Sequence, residues 1–133
     1  MKTAAPKTEI ITLYEFVVAV DPTGIAASIR KYAVKFTGKN YLPQMVTHEL
    51  RQQGFSVGLH ERVKADEIMQ VRRVRMYDRP DEVGRNVYFL EGDRAKAQKA
   101  AMDSLNETVE RMKKDVDGMH AAWTEKKMRP PRQ

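Results

Sequence analysis

The feature that most limits what this chain can fold into is an apolar stripe near its C-terminus. Met102, Leu105, Val109, Met112, Val116, Met119 and Trp123 are spaced 3, 4, 3, 4, 3, 4, with Ala95 and Gln98 as a weaker leader. These are the a and d positions of a heptad. Asp93 predicts the N-cap, and the two prolines of "MRPPRQ" forbid continuation, so the spacing predicts one helix over about 94–127. The stripe alone spans roughly 30 Å at 1.5 Å per residue, more than a small sheet usually covers with a single helix. On a straight helix a strict 3.5 repeat drifts by roughly 60° over three heptads, which favours a supercoiled partner. We therefore expect residues 94–108 on the protein's own sheet. From Val109 onward, Met112, Val116, Met119 and Trp123 are expected to face a second polypeptide. Methionines in the seam suit an adaptable contact. Gly118 works against it, costing about 1 kcal/mol within an exposed helix.

The rest of the chain reads mainly as strand. "EIITLYEFVVAV" is rich in β-branched and aromatic residues and apolar on both faces, which places it inside a sheet. "DPTG" at 21–24 admits two readings. In the first, slightly favoured, Asp21 caps a helix carrying Ile25, Ile29, Tyr32, Ala33 and Phe36 on one stripe. In the second it is a turn, and "SIRKYAVKF" returns as a strand. Pro43 is expected to open a short helix through Gln53, ended by Gly54. "FSVGLHERV" and "EIMQVRRVRMY" read as a hairpin joined by "KAD", "DRPDEVGRN" as a turn-rich link, and "VYFLEG" as a last strand. The expected fold is α+β: an antiparallel sheet of about four strands, helices on one face, and a long C-terminal helix. It forms one domain over 1–128 with a basic, proline-bearing tail at 129–133.

Arginines concentrate in one segment. In "EIMQVRRVRMY" simple alternation fails, because Met69 and Val71 share one face while Val74 and Met76 fall on the other. A β-bulge at Arg72–Arg73 would turn all four inward. The outward set is then Gln70, one or both of Arg72 and Arg73, Arg75 and Tyr77, capped by Arg79 and Arg85 in the following loop. Such a face suits nucleic-acid phosphates, and equally suits a solvated edge strand protected by charge.

The order short helix, three strands, helix over 43 to about 105 resembles a double-stranded RNA-binding domain, and "GDRAKAQKAAMDSL" looks like the start of that family's last helix. The resemblance implies that Arg94, Lys96 and Lys99 face phosphates across a groove. The family's paired lysines and its Gly-Pro-x-His loop are missing here.

Composition narrows the chemistry. The formal charge of +6 in 133 residues biases encounters toward anions. Cysteine is absent, which removes disulfides, thiolate nucleophiles and Cys-based zinc sites. His48, His60 and His120 stand in separate elements, and neither "HE" pair has a second ligand at i+4. The acidic turn Asp78, Asp81, Glu82 lacks calcium-loop spacing. No phosphate loop or serine elbow occurs. No metal or cofactor and no catalysis are expected. Nor is a membrane span, and a cytoplasmic setting is the economical reading. Two functions remain: a basic accessory protein binding DNA or RNA, or a structural or inhibitory adaptor acting through its C-terminal helix. The adaptor would form a homo-oligomer, or meet a partner helix or an acidic protein surface. A compact chain of this kind would suit a phage or mobile element.

Overall fold

The computed structural model describes residues 9–74 and 82–130. The fold is α+β: a six-stranded antiparallel sheet in the order β4-β3-β2-β1-β6-β5, packed against one long C-terminal helix. The strands are β1 (Ile11–Asp21), β2 (Gly24–Phe36), β3 (Asn40–Pro43), β4 (Val63–Lys64), β5 (Arg72–Val74) and β6 (Val83–Phe89). The helices are α1 (His48–Gln52) and α2 (Arg94–Glu125).

β1 is central, as its two apolar faces require. Phe16 and Val18 pack with Val87 and Phe89 of β6 and with Ala97, Ala101 and Leu105 of α2. On the opposite face Leu13 packs with Tyr32, Val34, Tyr41 and Val63. Tyr88 of β6 and Val63 of β4 belong to this same cluster although three strands separate β6 from β4. The sheet is therefore curled into a half-barrel with this cluster inside. A fully buried Leu, Val or Phe contributes about 1.5–3 kcal/mol, and β1 adds such side chains to both clusters.

Several sequence expectations are corrected. Residues 25–36 form a strand, not a helix. Asp21 Oδ1 accepts from the backbone N–H groups of Thr23 (2.8 Å) and Gly24 (3.1 Å), which closes a tight turn instead of capping a helix. The helical stripe loses because an unbroken ladder runs from Asp21↔Gly24 to Ile11↔Val34 and buries Tyr32 and Val34. Pro43 ends β3, and α1 starts later, where the Thr47 hydroxyl accepts from the Leu50 N–H at 3.2 Å. Of "FSVGLHERV" only Val63 is strand, continued by Lys64, and "KAD" joins no hairpin. β4 and β5 lie on opposite edges of the sheet, linked by a 3-10 turn (Ala65–Glu67) and a bridge between Ile68 and Tyr88. The consecutive three-strand sheet implied by the double-stranded RNA-binding resemblance is therefore absent.

The irregularity in the arginine strand also lies elsewhere than expected. Arg72, Arg73 and Val74 pair in unbroken register with Asn86, Arg85 and Gly84. The backbone is irregular earlier, at Met69, whose φ is 67°, while Met69 and Val71 still share the helix side. Val74 faces the other way, over Gly84. A Cβ at position 84 would lie 3.2 Å from Val74 Cβ, so glycine is what lets β5 close on β6 there. β6 itself starts at Val83, inside the segment expected to be a link.

Candidate functional site

α2 fits the predicted limits closely, ending at Glu125 with Lys126 in a left-handed conformation (φ 53°). Its first half is anchored. Ala97, Ala101 and Leu105 are buried, and the Arg85 guanidinium donates from Nε to Ser104 Oγ (2.9 Å) and from Nη2 to Thr108 Oγ1 (2.5 Å). After Thr108 the helix leaves the sheet. Exposure then climbs along the heptad positions, from 37% at Val109 through 46% at Met112, 57% at Val116 and 64% at Met119 to 78% at Trp123.

The heptad stripe does not extend the packed face. Met102, an a position, is 41% exposed, while the sheet is met by Ala97, Ala101, Ser104, Leu105 and Thr108. At about 100° per residue the packed set is centred roughly 50–60° from the heptad stripe, with Leu105 shared. The free half is thus a preformed helix of about 25 Å whose one apolar stripe is exposed among the described residues.

The arginine face is divided. Arg72, opposite Asn86, is ion-paired with Glu67. Arg73 points to the other side, opposite Arg85, which is 4% exposed and holds α2 to the sheet. Arg94 sits beside Tyr14 at the far end of the packed half, and Lys96 is exposed nearby. Lys99 is tied to Asp103 at 2.6 Å, which holds its ammonium charge to higher pH than usual. The six described candidates are therefore spread over both faces of the sheet edge and the start of α2. Arg75, Tyr77 and Arg79 lie outside the described residues, as do Asp78 and Asp81 of the acidic turn.

Sequence reading missed a polar network on the sheet's inner face. The buried Glu15 carboxylate accepts from Tyr32 Oη and from Asn86 Nδ2, each at 2.7 Å. Burial and the Glu15 contact push the Tyr32 hydroxyl from 10.0 up to about 12. A phenol held protonated against a carboxylate that also accepts from Asn86 ties β1, β2 and β6 together on this face. Glu15 breaks an otherwise apolar face, and that was the only signal in the sequence. Beside the network an open cleft of ≈ 910 Å³ runs between Leu42, Val63, Arg72 and Tyr88. Among the described residues no cluster of His, Asp and Glu is placed to hold a metal ion, and no helix is long and apolar enough to cross a membrane. Comparison with protein-family models, with curated proteins and with solved structures finds no match to this chain.

Proposed function

We propose that the protein is a non-enzymatic interaction module that pairs with a second copy of itself through the free half of α2, as a parallel two-stranded coiled coil. One observation carries this reading: past Thr108 the helix continues for more than two heptads with its apolar stripe turned to solvent. An isolated helix of that length is marginal in water, but here the packed half supplies the nucleus. The partner therefore meets a helix that is already ordered, which lowers the entropy lost on association.

Charge selects the occupant and its direction. In a parallel pair g positions meet e positions of the other chain, so Asp115 faces His120 and Thr108 faces Lys113. An antiparallel pair would bring e positions together and g positions together, setting Lys113 against His120 and taking Asp115 away from both. The parallel arrangement keeps the acidic side chain beside a basic one. The absence of cysteine gives a clean test. Val116 occupies an a position, where parallel partners place identical residues side by side. A Val116→Cys variant should oxidise to a covalent dimer, whereas a Lys114→Cys variant, at an outward f position, should cross-link poorly. Equal, slow oxidation of both would contradict the parallel seam.

A further inference from the structure

A basic cluster that the strand sequence does not reveal forms where α2 leaves the sheet. Arg73 lies across the β5–β6 ladder from Arg85. Arg85 reaches Thr108 on the helix, and Arg111 follows Thr108 by three residues on the same helix face. Arg85 is buried, yet its acceptors are Ser104 Oγ, Thr108 Oγ1 and the Gly84 carbonyl, all neutral. A buried cation is ordinarily balanced by a carboxylate. Among the described residues no carboxylate pairs with Arg85, Arg73 or Arg111. Burial lowers the Arg85 pKa, and the charges of Arg73 and Arg111 lower it further, so both neighbours press on the buried guanidinium at this junction.

We propose that Arg73 and Arg111, with Arg85 behind them, bind a backbone phosphate of a nucleic acid. Guanidinium forks match phosphate oxygens in pairs, and a bound anion relieves the repulsion among the three. Arg73 and Arg111 are exposed and line none of the cavities found among the described residues, which fits a charged strand lying along the surface better than an enclosed small molecule. The excess of 24 basic over 18 acidic residues favours the encounter. Arg111 is at a c position of the heptad, away from the seam, so the site stays open whether or not the helices pair.

The test is fluorescence anisotropy of a labelled DNA duplex titrated with the full chain between 50 and 200 mM salt. Each duplex phosphate neutralised adds about 0.9 to the log–log salt slope, so the Arg73→Gln, Arg111→Gln double variant should lower the slope by roughly 1 to 2. A Lys96→Gln, Lys99→Gln double variant removes the same charge from another part of α2 and should leave the slope nearly unchanged. Arg85 is left intact because its loss would unpin the helix. The proposal is overturned if the wild type does not bind at 50 mM salt, or if the two double variants flatten the slope equally. It is overturned too if inorganic phosphate at millimolar concentration displaces the duplex in full, since that would mark a small-anion site.

Discussion

The two halves of α2 belong to one unbroken helix and meet opposite fates. Over 94–108 small residues, Ala97 and Ala101, let the helix lie close to β1 and β6, and Leu105 and the Arg85 contacts fasten it. Over 109–125 the side chains are larger and more apolar along the stripe, yet they stay exposed, increasingly so toward Trp123. Hydrophobicity alone therefore did not decide what is buried. The sheet ends, the close-packing alanines give way to bulky residues, and the apolar stripe rotates away from the strands. A heptad that only stabilised its own fold would have kept Met102 covered.

The largest effect that tests this contrast lies in the anchored half. Leu105→Ala should cost about 2–5 kcal/mol in urea denaturation, as expected for a buried leucine whose site cannot fully collapse. Met112→Ala, measured at a concentration where the chain is monomeric, should stay within about 0.5 kcal/mol of wild type. Equal losses at the two positions would erase the distinction between the halves. A smaller effect is expected at the junction that carries the helix exit. Gly84→Ala sets a Cβ against Val74 and should destabilise by about 1–3 kcal/mol, read in the same denaturation experiment.

The inner face gives the third prediction, which is specific to pH. The raised Tyr32 pKa means that the folded state favours the protonated phenol. That contribution is complete below pH 10 and is lost as pH rises from 10 toward about 12, where the folded protein also ionises. Stability followed by circular dichroism should fall across that window. Tyr32→Phe should remove part of the fall, at the expense of about 1 kcal/mol at neutral pH from the lost hydrogen bond to Glu15. The free half of α2 contains no tyrosine, so its association should be insensitive to this substitution.

How far the sequence could be read follows the range of the interactions involved. β1 and α2 were legible because each carries a long, one-period pattern, and the point near residue 108 where α2 divides followed from sheet width and heptad drift. β2 was misjudged because "GIAASIRKYAVKF" satisfies both periods over a short window. Only pairing with β1, a contact between segments that meet through a tight turn, chose between them. The placement of β4 and β5 on opposite edges had no local signal at all, since the connection across the open side of the half-barrel is set by curl. The bulge expected at Arg72–Arg73 failed for the same reason: which side of a strand faces a helix depends on what lands there. Arg85 reads as a surface cation in sequence and becomes a pin once Ser104 and Thr108 arrive. Arg111 was invisible as a site residue because its neighbours come from β5 and β6.

Sedimentation velocity of the full chain over a wide concentration range tests most directly whether the free half of α2 is a self-association surface. Wild type should pass from monomer to dimer as concentration rises. The Met112→Glu, Met119→Glu variant, which sets like charges into the seam without touching the packed half, should remain a folded monomer with unchanged circular dichroism over the sheet. A wild type that stays monomeric at the highest concentration would contradict the homodimer, and a double variant that unfolds would show that the stripe belongs to the domain's own core.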